Sequence, residues 1–382
     1  MSADLQLHED FSSDLGEAGL TPPGWSSMTG DGEATISFEQ KDGFASVEVD
    51  ASQDRLNIWW AVVRRPVTGL DIDKLMQPGK ELRVTARIRS SHAPRRVNLH
   101  FNHQRTTDFH SHLMEYDIPE AGKWHSISMT TQGFDVQPGD QVAAQMALMD
   151  WGTEVYNLDI ESFKIEIVPA NAVSNDLGNP MPYHPKLPPV DAFQQHVRAA
   201  ASAVVDTRFP DLNFKDWQSA GKGSSSPVLA VGSTQITILR WDLEHLRNIS
   251  AKGPAILELA VDSVQRSPGF NKDFGMVRVV EILDGDPVWK QESVTLNSLC
   301  SGKCLNDVLN GQMVIDSELP EDGTGSALFS INPQVIQRLI SGRTKGLAIL
   351  PLGAIQAAFH SNKGTHPPRL HIGLPAPSDT GD

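Results

Sequence analysis

Hydrophobic and polar residues alternate along two neighbouring segments of the first half of the chain, residues 97–103 and 109–116. A period of two predicts β-strands, and the short spacing between the segments predicts a hairpin. Side chains two positions apart share a strand face, so one surface of the hairpin should be polar and the other apolar. The polar surface is predicted to contain Asn98, His100, Asn102, His110, His112 and Tyr116. The apolar surface, with Leu99 and Phe101, should join a core.

Neighbouring segments extend this predicted surface. The strand pattern in residues 55–64 places Asn57, Trp59 and Arg64 on one side, and residues 141–149 add Gln145. Trp59 is either a platform for a sugar ring or an ordinary core aromatic. Two turn residues, Gln104 and Arg105, should lie at the edge. A His-rich polar face is either a solvated sheet surface or a binding or catalytic one, and the residue types favour the second reading.

Short strand patterns separated by Gly, Pro and Asp turns continue through the chain, with little helical periodicity. We predict an all-β protein of two β-sandwich, jelly-roll-like domains. The first should span residues 1–168 and the second residues 206–376. Between them, residues 169–205 should form a Pro-rich linker with a short helix near residues 191–205. A helix is also predicted at residues 333–341, behind an Asn332 cap, and residues 377–382 should be disordered.

The charge of the chain restricts its partners. The 382 residues carry a formal net charge of −15, which argues against a nucleic-acid partner. An anionic substrate would need a local positive patch, for which the first domain offers Arg64, Arg65, Arg95, Arg96 and Arg105. No apolar run is long enough to span a membrane, and the N-terminus as given lacks the apolar core of a signal peptide.

Two cysteines, Cys300 and Cys304, flank a Ser-Gly-Lys segment. They could close a small disulfide loop in an oxidising compartment or stay reduced. Two thiols alone make a poor zinc site, because a structural zinc ion takes four ligands. A structural role is therefore favoured over a metal-binding one.

The second domain resembles the DNRLRE-type β-sandwich module, a carbohydrate-binding family. The matching segments are Asp206–Arg208 with Asn213 and Phe214, residues 238–243, residues 255–261, Trp289, Glu292, Val294, Thr295 and Asn297, residues 359–361 and residues 368–370. Leu296 departs from the family, which usually has Trp there. The resemblance implies an extracellular, secreted or periplasmic protein and a polysaccharide or oligosaccharide partner.

The first domain is similar in layout to carbohydrate-binding and polysaccharide-lyase jelly rolls. Residues 78–84 resemble the start of a central strand, residues 123–125 the start of a later one, and residues 156–165 the closing strand. Jelly rolls share this layout without sharing ligands, so the resemblance implies a fold and a class of ligand, not a reaction.

Three hypotheses compete for the polar surface. The leading one is β-elimination on a uronic-acid polysaccharide, with His100, His110 or His112 as the base and Tyr116 as the acid. Asn102, Gln104 and Arg105 would then hold the uronate carboxylate, and no cofactor would be required.

The second hypothesis is a transition-metal site at His100, His110 and His112, which could support hydrolysis or oxidation. The third is a non-catalytic glycan-binding face, with hydrogen bonds from Asn98, Asn102 and the histidines to sugar hydroxyls. All three hypotheses are compatible with a structural calcium ion.

Overall fold

We describe the chain from a computed structural model, which covers residues 3–12, 19–30, 33–53, 60–93, 95–106, 112–118, 120–149, 154–170, 189–216, 227–247, 255–266, 275–320 and 325–373. The strands are β1 Asp4–Glu9, β2 Ser26–Thr29, β3 Thr35–Gln40, β4 Ala45–Asp50, β5 Ala61–Pro66, β6 Lys80–Ser90, β7 Arg95–His103, β8 Leu113–Ile118, β9 His125–Thr130, β10 Val142–Met149, β11 Val155–Pro169, β12 Gln195–Arg198, β13 Ala201–Asp206, β14 Val228–Val231, β15 Gln235–Arg240, β16 Ala255–Arg266, β17 Gly275–Ile282, β18 Leu309–Ser317, β19 Ser326–Ile331, β20 Gly346–Gly353, β21 Ile355–His360 and β22 Arg369–Ile372. The α-helices are α1 Ile72–Leu75, α2 Leu296–Cys300, α3 Leu305–Val308 and α4 Pro333–Ser341. None of the described helices is long and apolar enough to cross a membrane.

The chain divides into two compact units, Met1–Leu187 and Pro188–Asp382. The first unit is a sandwich of two antiparallel sheets. One sheet has the order β3-β4-β11-β6-β9, with β1 also paired to β11, and the other has the order β2-β5-β10-β7-β8. The inward residues of both sheets form one core, in which Val97, Leu99 and Phe101 of β7 alternate with residues that point away from it.

The second unit has the same two-sheet architecture. One sheet has the order β12-β22-β16-β21-β14, with β19 also paired to β16, and the other has the order β13-β15-β20-β17-β18. In the latter sheet, β13 is buried along its whole length. Its residues Ala201, Ala203 and Val205 pack in a cluster with Trp289 and with α2 and α3. The prediction of an all-β chain with two β-sandwiches is confirmed.

Two segments differ from the predicted organisation. The predicted helix at residues 191–205 is wrong, because this segment forms a short 3-10 turn, Val190–Ala192, followed by β12 and β13. Small residues such as Ala200 and Ala201 suit a helix in isolation, but β13 is held by pairing with β15. The second unit therefore includes residues that the sequence assigned to the linker. Residues 171–188 and 377–382 of the predicted linker and tail lie outside the described residues.

Candidate functional site

The outer face of the β2-β5-β10-β7-β8 sheet carries some of the polar residues that the alternation pattern predicted there. In β7 the core side belongs to Val97, Leu99 and Phe101, so Asn98, His100 and Asn102 point away from it. Register then aligns three side chains across three strands. Arg64 of β5 lies opposite Gln145 of β10, and Gln145 lies opposite His100. We call Arg64, Asn98, His100, Asn102 and Gln145 the polar sheet face.

The β7 residues of the polar sheet face are buried. Asn98 is 2% exposed, His100 7% and Asn102 5%, whereas Arg64 and Gln145 are half-buried. Buried polar atoms are normally hydrogen-bonded, because losing water without a new partner costs about 1–3 kcal/mol. On this face, Asn98 Oδ1 and Arg64 Nε are buried and have no hydrogen-bond partner within the described part of the chain. These two atoms mark the face as a place where a ligand could supply hydrogen bonds.

Tyr116 does not share this face, and the prediction that placed it there is wrong. Register sets Tyr116 opposite Val97 and Met114 opposite Leu99, so the even-numbered residues of β8 face the core. The Tyr116 hydroxyl donates a hydrogen bond to the carbonyl oxygen of Ser128 inside the sandwich. The cause of the error is the Leu113–Met114 pair. Two adjacent apolar residues leave the phase of the strand ambiguous, and a shift of one residue exchanges its faces.

His112 also lies apart from His100. Its ring packs edge-on against Phe134 at 4.8 Å, and Phe134 packs against the core of the first unit. His100 points to the outer face, so the sheet separates two of the three imidazoles predicted to bind a metal together. Within the described ranges, no cluster of three or more His, Cys, Asp or Glu side chains is arranged to hold a metal ion.

Gln104 and Arg105 are engaged by a loop of the same unit. Arg105 forms ion pairs with Asp140 at 2.6 Å and Asp135 at 3.2 Å. Gln104 donates to Asp140 Oδ1, and its own oxygen accepts a hydrogen bond from the Gln141 backbone N–H. The hydrogen bond from Arg105 holds the pKa of Asp140 well below its usual range. Both residues therefore anchor the loop, and the prediction that they hold a substrate carboxylate loses its geometric basis.

Most of the other arginines of the predicted positive patch are also paired with carboxylates of the chain. Arg96 is buried and makes a two-pronged contact with Asp117 at 2.9 and 3.0 Å. Burial acts to lower the pKa of Arg96, but the Asp117 and Glu115 carboxylates outweigh it and raise that pKa. Arg65 pairs with Glu9, and Arg95 pairs with Glu154. Of the five arginines, only Arg64 forms no ion pair with another described residue.

Three predicted site residues, Asn57, Trp59 and His110, lie outside the described residues. The cysteines are both free thiols, with Cys300 buried and Cys304 exposed. Burial raises the pKa of the Cys300 thiol, which makes it a poor nucleophile at neutral pH.

A second group of polar residues, in the second unit, was not predicted. A pocket of about 680 Å³ is lined by Val190, Asp191, His196, Arg198, Glu258, Gly364, Thr365, Pro367, Arg369 and His371. Five of its residues come from three strands that are far apart in sequence, β12, β16 and β22. No local spacing signals this pocket, because His196 and His371 meet only through the pairing of β12 with β22.

The solved structures compared with this chain are distant from it in sequence. No protein-family model and no curated protein matches the sequence. A cyclase from Fischerella sp. TAU in complex with an indole compound is 11% identical, with 44% of this chain and 100% of that chain covered and a TM-score of 0.32. A family 11 carbohydrate-binding module from Clostridium thermocellum, in complex with a mixed-linked tetrasaccharide, is 14% identical over 44% of this chain and 98% of that chain, with a TM-score of 0.29. A tandem CBM22 domain from Paenibacillus barcinonensis is 13% identical over 98% of both chains, with a TM-score of 0.26.

Proposed function

We propose that this chain is a non-catalytic carbohydrate-binding protein whose first unit holds an acidic saccharide on the polar sheet face. The observation behind the proposal is the cross-strand row Arg64–Gln145–His100, next to the buried, unpartnered oxygen of Asn98. Directly opposite residues of antiparallel strands have Cβ atoms about 4.5–5.5 Å apart, so the row presents its groups to one ligand.

The chemistry of the face suits a sugar. The amides of Asn98, Asn102 and Gln145 carry both donors and acceptors, and a sugar hydroxyl is also both. Arg64 adds a guanidinium that no described carboxylate neutralises. A guanidinium binds carboxylates in a fork geometry, so a uronate would match it better than a neutral sugar. The ligand class we infer is therefore a uronic-acid-containing oligosaccharide or polysaccharide.

The lyase hypothesis has less support than binding. β-Elimination needs a base and an acid on the same side of the substrate. His100 lies on the polar sheet face, but the two groups proposed to act with it, Tyr116 and His112, pack towards the core. Gln104 and Arg105, proposed to hold the uronate, pair with the loop at residues 135–141.

Affinity electrophoresis separates these hypotheses. The full chain is run through gels containing polygalacturonate, alginate or a neutral glucan, and the same mixtures are followed by absorbance at the unsaturated-uronate band, with and without a chelator. We expect retardation in the acidic gels and constant absorbance. Rising absorbance that is insensitive to chelator would support the lyase instead, and rising absorbance lost on chelation would support a metal site.

The Arg64→Ala variant tests the site itself. Loss of a charge-assisted hydrogen bond costs about 1.5–3 kcal/mol, so affinity for the acidic glycans should fall roughly tenfold or more. Arg87→Ala is the matched control, because Arg87 lies in β6 of the opposite sheet and its side chain is 41% exposed in an ion pair with Glu161. Equal retardation of the Arg64→Ala variant and the unmodified chain would remove the polar sheet face from the proposal.

A further inference from the structure

The pocket of the second unit is built on one face of three paired strands. His196 of β12 lies opposite His371 of β22, and Arg198 lies opposite Arg369. Arg369 also lies opposite Glu258 of β16. Residues two apart share a strand face, so these five side chains belong to one surface. All five line the 680 Å³ pocket, a volume within the range of about 300–1,000 Å³ that is usual for small-molecule sites.

A chain of hydrogen bonds runs through the base of this pocket. Glu258 Oε2 lies 3.0 Å from His371 Nε2, and His371 Nδ1 lies 2.7 Å from His196 Nδ1. Burial opposes ionisation of Glu258, but hydrogen bonds from Ser326 and His371 outweigh it and keep its pKa low. Burial lowers the pKa of His371, which keeps its ring neutral at physiological pH.

The protons of this chain follow from the bonding pattern. An ionised carboxylate only accepts, so His371 Nε2 must carry the proton towards Glu258. Nδ1 of the neutral His371 ring is then unprotonated and accepts a hydrogen bond. His196 must donate that bond from its own Nδ1. With its Nδ1 proton used in this bond, the His196 ring offers Nε2 as its acceptor. His196 is exposed, so this acceptor is available to a ligand hydroxyl.

The two arginines of the pocket differ in their partners. Arg198 is held by Asn362, to which its Nε donates at 3.0 Å and its Nη2 also donates. Arg369 is exposed, and no carboxylate of the described chain lies within 4.0 Å of its guanidinium. Arg369 attracts the Glu258 carboxylate without forming an ion pair with it, so its guanidinium donors can bind a ligand anion. The remaining lining residues include Asp191 and Thr365, which can bond hydroxyl groups.

We propose that this pocket is a second binding site of the chain and that it takes an acidic sugar, with the ligand carboxylate on Arg369 and ligand hydroxyls on His196 and Glu258. A simple inorganic anion would be repelled by the Glu258 and Asp191 carboxylates and would offer them no hydrogen-bond donor. A uronic acid carries one anion for the guanidinium and several hydroxyl donors for the acceptors. The proposal goes beyond the proposed function, because none of its residues belongs to the first unit.

Calorimetric titration of the full chain tests it. The probe is oligogalacturonate, and its methyl ester is a neutral control with the same ring hydroxyls. We expect two molecules of oligogalacturonate per unmodified chain and one per Arg369→Ala chain, or a decrease of tenfold or more in the affinity of one site. Arg343→Ala is the matched control, because Arg343 is an exposed arginine of the same unit outside the pocket, and it should titrate like the unmodified chain.

This experiment can reject either proposed site without rejecting the other. Loss of one site in Arg369→Ala together with no effect of Arg64→Ala would support the pocket and reject the polar sheet face. An unchanged titration of Arg369→Ala would overturn the pocket, and binding of the methyl ester as tight as that of the acid would overturn the acidic ligand class. The Arg64→Ala, Arg369→Ala double variant should bind neither molecule.

Discussion

At the scale of single residues, side chains of one chemical type have different roles according to which side of a strand they leave. His100 reaches the outer face of the first sandwich, whereas the His112 ring packs on Phe134 beside the core. Arg96 is buried against Asp117, whereas Arg64 forms no ion pair within the described part of the chain. Residue type therefore narrows the candidates for binding, and orientation selects among them.

Tyr116 gives a direct test of that selection. Replacing it with Phe removes the hydroxyl that donates to the Ser128 carbonyl inside the sandwich. We expect the free energy of unfolding of the first unit to fall by about 1–3 kcal/mol, with glycan binding unchanged, as measured by urea denaturation and affinity electrophoresis. Arg64→Ala should show the opposite pattern, with weaker binding and stability within about 0.5 kcal/mol. A Tyr116→Phe protein that keeps its stability but loses activity on glycans would return Tyr116 to a catalytic role.

His371 makes the stability of the second unit depend on pH. Its folded pKa lies below the ordinary value of 6.5, so the unfolded chain takes up the proton more readily. The stability from the neutral ring is present above that value and is lost as pH falls through the folded pKa, by at most about 1.4 kcal/mol per pH unit. The charged and titratable groups around the ring are Glu258, His196, Arg198 and Arg369.

Thermal unfolding of the second unit can measure this effect. Between about pH 7.5 and about pH 5.5, where an imidazole titrates, the midpoint of the unmodified chain should fall more than that of His371→Gln. Glutamine keeps a donor for Glu258 but does not titrate in this range. The low pKa of Glu258 keeps that carboxylate charged throughout. Parallel curves for the two proteins would contradict a neutral, buried His371.

At the scale of elements, α4 shows which features of a helix depend on local sequence and which depend on tertiary contacts. Asn332 caps the helix by accepting a hydrogen bond from the Gln334 N–H, Pro333 occupies the first turn, and Gly342 ends the helix at a positive φ of 78°. These local signals predicted residues 333–341, and the prediction is confirmed. The contact of α4 with β17 is a tertiary feature, in which Arg338 donates to both oxygens of Glu281 at 2.9 and 2.8 Å.

The buried Arg338–Glu281 ion pair supports a prediction about the stability of the second unit. Arg338→Ala would leave the Glu281 carboxylate, whose side chain is 0% exposed, without its cation. Removing one partner of a buried pair costs about 3–5 kcal/mol, so urea denaturation should show the second unit unfolding at a much lower concentration. Arg343→Ala, just beyond the end of the same helix, should stay within about 0.5 kcal/mol of the unmodified chain. A similar small effect of Arg338→Ala would show that Glu281 is satisfied without this arginine.

At the scale of the whole molecule, the two proposed sites place cations on an acidic chain. The formal net charge is −15, which repels polyanions at long range. Short-range attraction must therefore come from particular guanidiniums that form no ion pair with a carboxylate of the chain. Arg64 in the first unit and Arg369 in the second meet this condition within the described residues. Most of the other arginines considered, such as Arg65 and Arg105, are paired with carboxylates of the chain.

The sequence by itself determined the all-β class, the two sandwiches, most strand positions and the α4 boundaries. Period-two alternation, turn residues and capping groups act over a few positions, so they can be read locally. For the same reason, Asn98, His100 and Asn102 were placed together correctly on one strand. The DNRLRE-type resemblance and the polysaccharide partner stay predictions.

Only the tertiary structure decided which side of β8 faces the core, which arginines are paired, and that residues 195–206 form strands. Each of these depends on pairing between distant segments, and a register change of one residue exchanges the faces of a strand without changing its composition. The pocket of the second unit shows the same limit. His196 and His371 are 175 positions apart, and only the register of β12 on β22 brings their rings within hydrogen-bonding distance.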